Sequence, residues 1–75
     1  MLARDVREEL YQLHLEDARR VFGEREFINL SEAARYLGFD PRTLQAIRYF
    51  PLIKHGRTYR VSIVSMCHWI ANREI

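Results

Sequence analysis

Apolar residues recur along the first third of the chain at helical spacing. Leu2, Val6, Leu10, Tyr11, Leu13, Leu15, Ala18, Val21 and Phe22 form a broad, ragged stripe, which predicts one helix of about six turns over 2–22. Glu16 and Arg20 supply an i, i+4 pair on its polar side. Gly23 stands where a helix commonly stops. The stripe is too irregular for a coiled coil and leaves two partners open: the rest of the domain, or a second copy. A charged link, Glu24-Arg25-Glu26, leads into Phe27-Ile28-Asn29-Leu30. That segment is too short for an independent strand and suits a β-bridge or a buried lead-in.

Ser31 opens the next predicted helix, which runs to Leu37. Its inward positions are Ala33, Ala34 and Leu37, its outward ones Glu32, Arg35 and Tyr36, and Gly38 stops it. Asp40-Pro41 is the clearest helix start in the chain. Asp is a strong N-cap, and Pro at N1 loses nothing by lacking an N–H. The pattern predicts a helix over 41–49, ending at Tyr49 or Phe50 because Pro51 bars continuation. Leu44 and Ile47 face inward. Leu52-Ile53-Lys54 and Thr58-Tyr59-Arg60-Val61 flank His55-Gly56-Arg57, the pattern of a short β-hairpin turning at glycine. Ser62 then caps a last helix buried through Ile63, Met66, Cys67, Trp69 and Ile70. No internal repeat or low-complexity segment interrupts this order.

A chain of 75 residues is one small domain, 1–75, mainly α with a small β-hairpin. With 48% hydrophobic and 29% charged residues it has the balance of a soluble globular protein, not of a disordered tail. No apolar run approaches the roughly 20 residues that span a bilayer, and Met1-Leu2-Ala3-Arg4-Asp5 lacks a signal-peptide core. The expected location is cytoplasmic, with no membrane contact. The single cysteine, Cys67, fits a reducing compartment and reads as a small buried side chain.

Charge is segregated. Residues 1–32 carry five Arg against eight acids, a net of −3, and residues 33–75 carry seven basic residues against Asp40 and Glu74, a net of +5. Between Pro41 and Val61 lie five basic residues and no acid, a local field that suits a polyanion.

Counting from Leu30, Ala34 falls four residues on, Gly38 four further, Leu44 six further and Ile47 three more. A helix-turn-helix needs this arrangement. A small residue lets two helices approach, a left-handed glycine turns the chain, and apolar residues lock the helices together. The exposed positions of 41–49 are Arg42, Thr43, Gln45, Ala46, Arg48 and Tyr49. Arg can contact guanine bidentately, Gln can contact adenine, and Thr can reach base or phosphate. Lys54, His55 and Arg57 in the hairpin suit phosphate or minor-groove contact. Candidate DNA-binding residues are therefore Arg42, Thr43, Gln45, Arg48, Tyr49, Lys54, His55 and Arg57.

The segment Leu30-Ser31-Glu32-Ala33-Ala34-Arg35-Tyr36-Leu37-Gly38 resembles the opening helix of the excisionase and MerR-like winged helix-turn-helix superfamily. Gly56-Arg57-Thr58-Tyr59-Arg60-Val61-Ser62, with Met66 and Trp69-Ile70, resembles its wing and closing helix. The resemblance covers about residues 27–71 and is strongest to small excisionases of phages and conjugative transposons. It implies a winged helix-turn-helix with an extra N-terminal helix. It also implies an architectural factor that bends double-stranded DNA beside a recombination end and directs an integrase toward excision of a mobile element, or a small transcriptional regulator. Two features depart from it: the link from Tyr49 to Lys54 is short, and helix 2–22 lies outside the common core, where it suits contact with an integrase or a second copy.

Nothing suggests an enzyme. There is no Ser/His/Asp order, no paired carboxylates and no Gly-rich phosphate loop. His14, His55 and His68 form no metal site, and Cys67 and His68 are helix neighbours pointing to different sides. No cofactor is expected, and Trp69, Tyr36 and Phe50 read as packing residues. Two other readings stay open: a protein-interaction adaptor on the same scaffold, working through helix 2–22, and the DNA-recognition domain of a phage packaging subunit.

Overall fold

The computed structural model describes residues 2–73, with side chains from Val6 onward; the side chain of Leu2, placed in the predicted stripe, lies outside the described residues. The elements are α1 (Leu2–Phe22), β1 (Phe27–Asn29), α2 (Leu30–Leu37), α3 (Pro41–Ala46), β2 (Ile53–His55), β3 (Thr58–Ser62) and α4 (Ile63–Arg73). The fold is mainly helical, with a small antiparallel sheet of order β1-β3-β2. No helix among the described residues is long and apolar enough to cross a membrane.

Helix α1 has the predicted bounds, and its ragged stripe resolves into two. Tyr11, Leu15, Ala18 and Phe22, spaced four, three and four residues apart, pack into the core, largely along α4. Val6, Leu13 and Val21 stay exposed on another flank. The predicted stripe mixed an inward face with a solvent face.

The segment 27–29 pairs as a full strand. Phe27 sits opposite Ser62, Ile28 opposite Val61 and Asn29 opposite Arg60, so β3 becomes the central strand. Ile28 and Val61 are both buried against the helices. Strand alternation then puts Phe27, Asn29 and Arg60 on the outer face.

Helix α2 begins one residue earlier than the pattern predicted. Its N-cap is Asn29, not a residue at the Ser31 end. The Glu32 N–H donates to Asn29 Oδ1 at 2.8 Å, and the Asn29 N–H donates to Glu32 Oε1 at 3.0 Å. This reciprocal box satisfies two helix-end donors at once, which a cap at Ser31 could not do with Glu32 its next neighbour. Tyr36 is half-buried, as its reading as a packing residue implies and its outward place on the helix pattern does not: its hydroxyl donates to Asp17 Oδ2 at 2.5 Å and its ring tilts against Phe22. The long α1 supplies the carboxylate that makes this inward turn favourable. At the other end Gly38 takes φ 81°. The Phe39 N–H reaches Ala34 O and the Gly38 N–H reaches Arg35 O, the paired closure of a Schellman motif.

Helix α3 is shorter than the expected 41–49. It starts as predicted, with Asp40 Oδ1 accepting from the Arg42 N–H at 2.9 Å. It ends at Ala46, where Ile47 turns extended with ψ 121°. Tyr49 then adopts φ 70°. Phe50 has to leave the helix to bury beside Trp69, with ring centroids 4.9 Å apart in a T-shape. That tertiary contact, together with Pro51, ends the helix before its local pattern does.

The hairpin turns through Gly56-Arg57, with His55 paired to Thr58. Gly56 has φ 62° and Arg57 does not share it, the arrangement that needs glycine at the first turn position. Ser62 closes β3 and caps α4, its Oγ accepting from the Ser65 N–H at 3.3 Å. Ile63, Met66 and Cys67 are fully buried below it, and Trp69 and Ile70 half-buried. Burial pushes the Cys67 thiol up to about 11, so it stays protonated and unreactive at neutral pH.

Candidate nucleic-acid interface

The surface in question is built on α3 and the hairpin. Helices α2 and α3 pack on each other across Gly38-Phe39-Asp40. Leu44 is fully buried and Ile47 partly so. With Leu44 anchored, Arg42, Thr43 and Gln45 are left exposed on the short helix.

One hydrogen bond joins this helix to the sheet. Gln45 Nε2 donates to the Tyr59 hydroxyl at 2.9 Å. Tyr59 shares the inner parity of β3 with Val61, and its cross-strand partner is Lys54. Lys54 therefore stands on the α3 side of the hairpin beside Tyr59. Gln45, Tyr59 and Lys54 are thereby linked across the helix and the hairpin, while Arg42 and Thr43 are exposed on the same short helix.

The other candidates scatter. Arg48 and Tyr49 lie beyond the end of α3, with the Arg48 guanidinium 5.5 Å from the Tyr49 ring centroid. Tyr49 is 84% exposed. Arg57 occupies the hairpin tip. His55 has the opposite parity to Lys54 and lines a cleft on the outer sheet face with Phe27, Ile53 and Arg60. The structure thus links Gln45 through Tyr59 to Lys54, leaves Arg42 and Thr43 exposed on α3, places Arg48 and Tyr49 beyond the helix end and Arg57 at the hairpin tip, and puts His55 on the opposite face from Lys54.

Tyr59 is a member that sequence reasoning missed. Its signal was present, because it alternates with the buried Val61 and lies opposite Lys54 in the hairpin. Its partner Gln45, fourteen residues away, was not readable from spacing.

Electrostatics follow the segregation of charge. Among the described residues no carboxylate pairs with Arg42, Arg48, Lys54, Arg57 or Arg60. Arg25, by contrast, is committed: Nη1 and Nη2 bind the two Glu32 oxygens at 2.6 and 2.8 Å. That fork holds the Glu32 carboxyl down at about 2. Trp69 is also engaged, between Phe50 and the Arg73 guanidinium 4.5 Å from its centroid. His68 stacks on Tyr11 at 3.8 Å, while its neighbour Cys67 points into the core.

Comparison with protein-family models, curated proteins and solved structures finds no match to this chain.

Proposed function

We propose that the chain is a sequence-specific DNA-binding module of winged helix-turn-helix type. In this reading α3 enters the major groove of double-stranded DNA and the β2–β3 hairpin serves as the wing. Arg42 addresses guanine, Gln45 adenine, and Thr43 a base edge or phosphate. Lys54 and Arg57 hold the flanking backbone, and Arg48, Tyr49 and His55 meet the duplex at its margins. The resemblance of residues 27–71 to small excisionases makes the biological role that of an architectural factor in recombination, or of a small transcriptional regulator.

One observation carries the reading: five exposed cations without carboxylate partners among the described residues, over an acid-free stretch built around a short capped helix. Four phosphate contacts would give binding a salt slope of about −3 to −4. A gel shift against genomic fragments over a salt series tests this. Salt-dependent retardation of DNA, with one fragment held preferentially, is the expected result. Absence of any salt-dependent shift overturns the reading and favours the adaptor, for which the exposed Val6 and Leu13 on α1 are the supporting feature.

A further inference from the structure

The outer face of the sheet carries a patch in which the DNA reading gives a contact to His55 alone, at its edge. Phe27 and Ile53 are 44% and 48% exposed, on opposite sides of the central strand. Arg60 lies between them, directly opposite Asn29 on one side and Ile53 on the other. With His55 these residues line a shallow cleft of about 380 Å³. Two large apolar groups bracketing an unneutralised cation suit a partner that is itself apolar and acidic.

The same chain presents such a surface. On α1, Val6 and Leu13 are 43% and 60% exposed and stand two turns apart on one line. Glu9 falls between them and Glu16 one turn beyond, both exposed. Glu8, Glu9, Gln12 and Leu13 line a second shallow cleft of about 390 Å³. The stripe is amphipathic and acidic where the sheet face is apolar and basic.

We infer that α1 of one copy docks on the outer sheet face of a second copy, Leu13 between Phe27 and Ile53 and Glu9 against Arg60. Docking α1 against α1 would bring two acidic rows together, an unfavourable juxtaposition. Docking sheet against sheet would oppose two Arg60 side chains. The heterologous contact avoids both. Because donor and acceptor lie on different faces of each copy, the association is head to tail and need not close. The inference stands apart from DNA binding and is tested without DNA.

Sedimentation velocity on the full chain, from micromolar to millimolar concentration at low salt, is the experiment. The expected result is a mass that rises with concentration past the dimer and falls back when salt is added. Arg60→Glu and Glu9→Arg each weaken association by roughly tenfold or more, with unchanged far-UV circular dichroism because both sites are exposed. Mixing the two variants restores association, since the unaltered Glu9 of one meets the unaltered Arg60 of the other. Three outcomes overturn the inference: a monomer at every concentration; a dimer that survives Arg60→Glu but not Leu13→Asp, which marks an α1–α1 contact; or a dimer that survives Leu13→Asp, which marks a sheet contact.

Discussion

The Gln45 side-chain amide donates to the Tyr59 hydroxyl across 2.9 Å, which fixes the exposed face of α3 relative to the hairpin. Tyr59→Phe removes the acceptor and leaves the ring. The bond is exposed, so the cost to stability is under about 1 kcal/mol. Under the DNA reading the larger effect is on selectivity, because Gln45 loses the contact that orients it. Fluorescence anisotropy on preferred and scrambled duplexes checks this: the ratio of affinities should fall several-fold while scrambled binding holds. An unchanged ratio would remove Gln45 and Tyr59 from any reading role.

Arg42 and Arg57 should separate by kind of effect. Arg42 sits on α3 beside Gln45, and Arg57 at the hairpin tip. Arg57→Ala is expected to weaken binding to every sequence and lower the salt slope by about 1. Arg42→Ala is expected to relax preference at one base pair, at a cost of about 1–3 kcal/mol on the preferred site. Equal losses on specific and random DNA for both variants would contradict that division.

Local chemistry made most of the fold legible. Asp40-Pro41 and Ser62 announced two helix starts, Gly23 and Gly38 two helix ends, and Gly56 the hairpin turn, because each satisfies a backbone requirement within a few residues. What escaped was set at longer range. Helix α3 stops at Ala46 because Phe50 must reach Trp69, and nothing in Ile47-Arg48-Tyr49 records that distant ring. The Asp17 carboxylate that accepts from the Tyr36 hydroxyl lies nineteen residues earlier, beyond the reach of any local pattern. Asn29 was legible in principle, as Asn-x-x-Glu to Glu32, but Ser31 offered a competing cap type. In the candidate site the residue types and the charge asymmetry were readable, whereas the parity that turns His55 from Lys54 became clear only with the register of β2 on β3.

Two residues in the left-handed region predict opposite responses to substitution. Tyr49 holds φ 70° with its side chain 84% exposed, so its backbone is strained and little packing repays it. Tyr49→Gly should stabilise the fold by about 0.5–1 kcal/mol, the relief of strain less the extra entropy of glycine. Gly38 holds φ 81° with open space where a Cβ would stand. Gly38→Ala should cost about 1 kcal/mol from backbone strain alone. Thermal melts would show shifts of several degrees in opposite directions, and a lower Tm for Tyr49→Gly would mean that its ring contributes packing.

The Arg25–Glu32–Asn29 cluster gives the fold an acid-sensitive joint between β1 and α2. The Glu32 carboxyl titrates at about 2 in the folded chain against an ordinary 4.5, first because of the Arg25 hydrogen bonds and next because of the Asn29 N–H. A depressed folded value means that the unfolded chain binds the proton more readily. The stabilisation is therefore complete above 4.5 and is lost as pH falls toward about 2. Glu32→Gln keeps an acceptor for the Asn29 N–H but removes the charge. Its melting temperature should lie below that of the unaltered chain at neutral pH, and the two should converge as the acid range is crossed. Parallel melting curves over that range, with a constant gap between the two proteins, would show that the ion pair contributes nothing to folding and that the capping box alone holds the helix start.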